Sequence, residues 1–330
     1  MARGTVYNRV YNEEDWKLVS KENKNIMEDF LEEYRQQKKK QSTLDQYRND
    51  IRIVLIYILK ELNNKCLLEL TKKDFRRFNL WLQDKGMSSA RVNRMMSAVR
   101  SMLTFCEDDD DYDYDQNVAR KVKGLAKEPV RDIQFLTDEH ISLLREELKN
   151  RKDYVKMLLL DLAYDSAGRR NELYQVKKEG LLDKNNTNIV IGKRGKKFPL
   201  IYFSRTKESL KLYLDERGED DIESLWVVGK KEKREVSYQT LYEWFVYMAD
   251  LLHELIGEDI PFGPHSLRHS SLENLSNGTH YLLKELGVET LELEQLKVYA
   301  HHSDISTTSS YLRDNSNDLL ESTFGIKITN

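Results

Sequence analysis

His265-Ser266-Leu267-Arg268-His269 sets two imidazoles and a guanidinium on one short stretch of chain. Histidines at i and i+4 share a helix face, a spacing that can ligate zinc. That reading fails at position 266, which is serine where a metalloprotease helix carries glutamate. Other reactive groups lie on either side. Upstream, Asp165-Ser166-Ala167-Gly168-Arg169-Arg170-Asn171-Glu172-Leu173 puts Arg169 at a helix end. Between them, Gly192-Lys193-Arg194-Gly195-Lys196-Lys197 is a turn of glycine and cations. Downstream come the adjacent His301 and His302, then Tyr311. Singly, each is ordinary: a surface arginine, a solvent-exposed turn lysine, one tyrosine among 18.

The chain around these groups has two parts. Residues 24–106 read as helices. Leu44, Tyr47, Ile51, Val54, Leu55, Ile58, Leu59 and Leu62 recur at the helical period, and Ser42 or Thr43 is expected to cap that helix. Thr71 begins a helix carrying Phe75, Phe78 and Trp81, which Gly86 ends. After Ser88-Ser89, the residues Val92, Met95, Met96, Val99, Met102 and Leu103 form an apolar stripe. The opposite side carries Arg91, Arg94 and Arg100 among serines and asparagine without acids, a surface suited to a DNA backbone. Residues 132–330 are mixed. Helices are expected at 137–149, 153–166, 205–217 and 238–255, and later ones carry the His265 motif, the region around 290–301, and Tyr311. Short β-rich runs at Thr187–Ile191 and Phe198–Tyr202 flank the glycine-lysine turn, and Leu225–Val228 is a candidate third strand.

Composition limits the function classes. The chain has 330 residues, 39% hydrophobic and 33% charged, enough for two cores. No apolar run is long enough to span a bilayer, and the first residues lack a signal peptide's apolar segment. Cys66 and Cys106 have no metal-ligand spacing, so a reduced cytoplasmic setting is expected. The net charge of −3 hides an asymmetry. Glu107-Asp108-Asp109-Asp110-Asp111-Tyr112-Asp113-Tyr114-Asp115 holds seven carboxylates, and without them the net would be about +4. This acidic run, with the basic segment that follows it, reads as a linker over 111–131.

The reactive groups make sense together as a site for phosphodiester chemistry. The transition state spreads negative charge over non-bridging oxygens, and arginine grips phosphate with a fixed, permanently charged fork. Arg169 and Arg268 supply that. A lysine on a tight hairpin, such as Lys193, can protonate a departing oxygen without a metal. Tyr311 can attack once cations and an imidazole ease its ionisation.

Order and spacing resemble the tyrosine recombinase and integrase family, of the Xer, Cre and lambda integrase types. Ser166 to Leu173 resembles its first arginine box, with Arg169 catalytic and Glu172 bracing the site. Lys193 falls 24 residues after Arg169, as the Xer-type pattern leads one to expect of its β-hairpin lysine. His265 to His269 resembles the family's most diagnostic box, and His302 to Tyr311 its last, with the second histidine and the nucleophile. The likeness covers Leu70 to Phe75 and Ser88 to Phe105 as well. It implies a mostly α fold with a small β-sheet: a helical, SAM-like core-binding domain at 24–110 after an extension at 1–23, and an α+β catalytic domain at 132–330. It also implies double-stranded DNA as partner, dimers or tetramers on DNA, an accessory DNA-bending or directionality protein, no cofactor and no metal. Arg169, Lys193, His265, Arg268, His302 and Tyr311 would be catalytic, with Arg91, Arg94, Arg100, Lys196 and Lys197 on DNA. The extension is too short for a separate arm-site domain.

Several features depart from the pattern. Ser166-Ala167-Gly168 stands where Thr-Gly-Leu is usual, and Ala300-His301 where Leu-Gly precedes the histidine. The adjacent histidines leave that assignment open, with His302 favoured by its distance from Tyr311. Lys196 or Lys197 could replace Lys193 as acid, and Tyr299 is a weaker candidate nucleophile than Tyr311. The stretch Asn277 to Glu294 is longer than in the Xer type. The rival functions are a type IB topoisomerase and a DNA-binding protein without catalysis.

Overall fold

The computed structural model describes residues 10–126, 135–229, 232–258, 260 and 262–301. Pro129, Lys230, Lys231, His302, Tyr311 and the apolar tail at 319–326 lie outside the described residues. The chain divides into two compact units, Met1–Arg131 and Asp132–Asn330.

The first unit is helical: α1 (Glu13–Leu18), α2 (Lys21–Gln36), α3 (Gln41–Glu61), α4 (Lys72–Asp84) and α5 (Ser89–Asp108). Its helices start where polar side chains satisfy free backbone N–H groups. Ser20 and Ser88 cap α2 and α5, and Thr71 forms a capping box with Asp74 at α4. The helix α3 differs from expectation. It begins at Gln41 after Lys40, with no side-chain cap from Ser42 or Thr43. Its stability comes from burial on several sides instead: Ile53, Ile56 and Tyr57 are buried along with the expected stripe residues Ile51, Val54, Leu55 and Ile58. On α5 all six stripe residues from Val92 to Leu103 are buried.

The acidic run is not a free spacer. Its first two residues end α5, and Tyr112 and Tyr114 pack against the first unit's core. Tyr112 donates to Asp29 Oδ2 at 2.6 Å, and its ring meets Phe105 edge-on at 5.7 Å. Each tyrosine supplies apolar area that a pure carboxylate run lacks. A short 3-10 turn at Val118–Lys121 follows, with Ala119 and Val122 buried in the same core.

The second unit is built on α7 (Tyr154–Ser166), buried on every side from Met157 to Ser166. It packs against α6 (Asp138–Asn150), α9 (Ser204–Arg217) and α11 (Pro264–Ser276). The short helix α8 (Arg170–Tyr174) follows α7 directly. The strands β1 (Asn186–Ile191) and β2 (Lys197–Ile201) form an antiparallel hairpin, with Val190 opposite Phe198 and Ile191 opposite Lys197. The run at Leu225–Val228 does not extend that sheet. Only Val227–Val228 is strand (β3), and it pairs with β4 (Arg234–Glu235) as a separate ladder. The helix α10 (Tyr238–Ile256) lines the core with Leu241, Phe245, Met248 and Leu252. The region after Asn277 holds two helices, α12 (Tyr281–Leu286) and α13 (Leu293–Tyr299). Leu282, Leu283 and Leu296 join Leu272 and Leu275 of α11 in a satellite core beside Ala167. Among the described residues no helix is long and apolar enough to cross a membrane.

Candidate active site

The site starts at the end of α7. Ser166 Oγ donates to Leu162 O at 2.5 Å and accepts from Gly168 N at 3.1 Å, which turns the chain out of the helix. Ala167 takes a left-handed conformation (φ 46°), uncommon for a residue with a Cβ. Gly168 has no room for a side chain, because a Cβ would lie 2.9 Å from Ser166 Oγ and 3.0 Å from Leu173 Cδ2. The Ser-Ala-Gly sequence is therefore matched to its own turn. That turn delivers Arg169 to the N-cap of α8, where Glu172 reaches back. Glu172 Oε2 accepts from Arg169 N at 2.8 Å and Oε1 pairs with Arg169 Nη1 at 3.0 Å. Glu172 is 1% exposed, so its charge is fixed by this one arginine from both backbone and side chain.

Arg268 lies on α11, and it is 1% exposed despite its charge. Its fork donates to Ala167 O through Nη1 and to Ala300 O at 2.7 Å through Nη2. The first carbonyl belongs to the segment before Arg169 and the second to the segment before His301 and His302. One guanidinium thus ties together three parts of the sequence. His265 sits one turn before Arg268, with part of its ring open to solvent. Partial burial, then the Arg268 and Arg169 charges, hold its pKa below the usual histidine value, so it is neutral at pH 7. The His265 and His269 rings meet edge to face at 4.7 Å. Among the described residues no group of three or more His, Cys, Asp or Glu side chains is arranged to hold a metal.

The hairpin meets the same cluster at its base. Gln175, just after α8, bonds Ile191 both ways: Ile191 N donates to Oε1 at 2.9 Å and Nε2 donates to Ile191 O at 3.0 Å. Lys193, Lys196 and Lys197 are exposed. Lys196 Nζ donates to His301 O at 3.3 Å. Among the described residues Lys196 is therefore the hairpin lysine linked to the cluster, while Lys193 lies on the turn without such a link.

In the first unit, Arg91 and Arg94 converge on Asp50. Arg91 Nη2 lies 2.8 Å from Asp50 Oδ1 and Arg94 Nε lies 3.3 Å from Oδ2. Asp50 is 2% exposed, and burial raises its pKa while Arg94 opposes the shift. These residues line a polar hollow of about 420 Å³ with Ser42 and Asn49. Arg100 is used differently from expectation. Its Nε donates to Ala119 O at 3.1 Å and its Nη2 to Val122 O at 2.9 Å, fastening the segment after the acidic run.

Residues 134–318 match the phage integrase family, and residues 27–108 match the phage integrase N-terminal SAM-like domain. The chain belongs to the phage integrase family. Its members include the tyrosine site-specific recombinases, and this chain is one of them. It is 29% identical over 318 residues to the SPbeta prophage-derived recombinase-like protein YomM of Bacillus subtilis, covering 91% of this chain and 90% of that protein. It is 27% identical over 284 residues to the tyrosine recombinase XerC of Treponema denticola, covering 82% of this chain and 87% of that one. The fold is shared with a lambda integrase tetramer bound to a Holliday junction, at a TM-score of 0.66 and 17% identity, over 92% of this chain and 82% of that one. These likenesses support recombination over the topoisomerase-like and the non-catalytic readings.

Within this family, two groups take places in the site that the sequence alone did not show. Asp165, fully buried, accepts from Thr206 Oγ1 at 2.6 Å, from Phe203 N at 3.0 Å and from the Tyr281 hydroxyl. It anchors the helix end from which Arg169 projects. Tyr299 donates its hydroxyl to Asp165 O, and burial raises its pKa far above the usual phenol value. Tyr299 is thus a packing residue. The signal for Asp165 was faint: a charged residue at the end of an apolar helix. His301 is the second group, with φ 53° and its ring stacked on Phe198 at 3.8 Å. A left-handed backbone suits the position where the family pattern has glycine.

Proposed function

We propose that this recombinase cuts and rejoins DNA through a 3′-phosphotyrosine, with Tyr311 as nucleophile. Arg169, Arg268 and His302 hold the non-bridging oxygens of the scissile phosphate. The Tyr311 hydroxyl passes its proton to a neutral imidazole of the site, and its oxygen forms a bond to phosphorus as the bond from phosphorus to the 5′ oxygen breaks. Lys193 gives its proton to that 5′ oxygen, leaving a free 5′ hydroxyl and a neutral amine. Glu172 holds Arg169, and His265, neutral at pH 7, serves proton transfer or orientation. A 5′ hydroxyl from a partner strand reverses the step. The new phosphoester conserves the energy of the old one, so the transfer requires no ATP and no metal.

The observation that supports this most is the Arg268 fork on Ala167 O and Ala300 O, because it joins the Arg169 segment to the one leading into His302. Strand exchange requires two duplexes, so dimers or tetramers on double-stranded DNA are part of the proposal, as is an accessory DNA-bending or directionality protein. Arg91 and Arg94 would contact DNA from the first unit, with Lys196 and Lys197 doing so from the second. The cytoplasm, on nucleoid DNA, is the compartment where such an enzyme meets its substrate.

The test is covalent trapping. A nicked duplex drawn from DNA flanking the gene should yield a detergent-stable protein–DNA adduct, and Tyr311→Phe should abolish it. An adduct that persists in Tyr311→Phe would overturn the assignment of the nucleophile.

A further inference from the structure

His301 combines three features that no step above uses. Its backbone is left-handed (φ 53°), a conformation in which a Cβ is strained. Its ring lies on Phe198 at 3.8 Å with 21° between the planes. Its carbonyl accepts from Lys196 Nζ at 3.3 Å, and its N–H donates to Val298 O at 3.0 Å, continuing the end of α13.

Phe198 belongs to β2 and closes the base of the hairpin. Its ring fills the space a side chain at position 192 would need: a Cβ there would lie 2.7 Å from Phe198 Cε1 and 3.2 Å from Glu172 Oε1. Glycine at 192 lets the hairpin base settle against both Phe198 and the acid that holds Arg169. On the far side, Gln175 grips Ile191 by its peptide. The hairpin is therefore seized from two directions, by α8 through Gln175 and by the end of α13 through His301.

We infer that His301 is a positioning residue: by stacking on Phe198 and receiving Lys196, it clamps the lysine-bearing hairpin against the arginine cluster, so that a hairpin lysine meets the departing 5′ oxygen. The inference rests on the proposed role of a hairpin lysine as proton donor. The imidazole suits the task because it is neutral at pH 7. Its pKa is pushed down to about 4, first by burial, with Lys196, Arg268 and Arg169 adding to the shift and Glu172 opposing it. An uncharged ring can stack on phenylalanine beside three cations.

The experiment uses the full chain and two nicked duplexes, one with the ordinary 5′ bridging oxygen and one with sulfur in its place. A thiolate leaves without being protonated, so the sulfur duplex does not need the acid. His301→Gly relieves the backbone and removes only the ring. It should bind DNA as the wild type does, cleave the oxygen duplex roughly 10- to 100-fold more slowly, and cleave the sulfur duplex at the wild-type rate. His301→Phe keeps a ring and should recover most of the oxygen rate, and Phe198→Leu should behave like His301→Gly. Wild-type cleavage of the oxygen duplex by His301→Gly overturns the inference, as does a defect equal on both duplexes. Lys193→Ala and Lys196→Ala in the same assay separate the layers. If neither lysine variant, nor the two combined, is rescued by sulfur, the acid assignment itself fails and the clamp with it. If a lysine variant is rescued and His301→Gly is not, the clamp alone fails.

Discussion

Replacing Arg268 by lysine separates charge from geometry at the centre of the catalytic unit. The guanidinium is 1% exposed and bonds Ala167 O and Ala300 O at once. Each charge-assisted bond of this kind contributes about 1.5–3 kcal/mol. A lysine ammonium is a point donor on a flexible stem and can replace one of the two. The other carbonyl is left buried without that partner, so a net loss of roughly 2–3 kcal/mol is expected. For a unit of this size about 1 kcal/mol moves the melting temperature by about 2–4 °C, which gives a fall of roughly 4–12 °C. Cleavage should fall further. Loss of one preorganised donor from a developing anion typically costs about 10²–10³ in rate, because the donor acts only where charge builds up. Thermal melting by circular dichroism and single-turnover cleavage well below the transition measure the two effects separately. A lysine variant that melts with the wild type and cleaves at its rate would refute both the structural tie and the phosphate grip.

Three further outcomes are expected. Arg94→Ala should weaken DNA binding across sequences and shrink the salt slope of the binding constant by about 1, as for one lost phosphate contact. Arg100→Ala should lower the melting temperature and leave that slope alone, since its fork serves Ala119 and Val122; salt titrations of binding that showed the reverse pattern would reject the division of labour. Acid should act through His280, which stacks on Tyr164 at 4.1 Å and whose pKa burial pushes down to about 3. A folded pKa below the unfolded value means its contribution is full above about pH 6.5 and is lost as pH falls from there towards 3. Going from pH 7 to pH 5 should cost the wild type about 2 kcal/mol more than His280→Asn, which keeps an N-cap acceptor. Urea unfolding at the two pH values measures this, and equal losses in both proteins would remove His280 as the sensor.

How far the sequence could be read depended on the range of the interactions concerned. The ends of α6, α7, α9 and α10 fall within a residue of expectation because caps and apolar periodicity act within a turn or two. The hairpin was legible for the same reason: two β-rich runs around glycines and lysines leave few other conformations. The acidic run misled because charge suggested a linker, whereas Tyr112 and Tyr114 pack inward. The helix α13 falls inside the helical region expected around 290–301, whereas α12 lies in a stretch without a clear local pattern, and its Leu282 and Leu283 find partners on α11 and at Ala167.

The same distinction explains the site. Arg268 was legible as a residue type in a motif, but its partners are backbone carbonyls 101 and 32 residues away, and a carbonyl has no letter in the sequence. Side-chain identity therefore marked which residues could act, while the peptide groups that orient them emerged only from the fold. The departures from the family pattern follow from this. At Ala167 and His301 residues with a Cβ stand where the family pattern has glycine, and both keep a left-handed backbone. The carbonyl of Ala167 bonds Arg268 and that of His301 bonds Lys196. A site whose key acceptors are main-chain oxygens can change residues there, provided the turn is kept. At position 301 it has gained a ring for the hairpin to rest on.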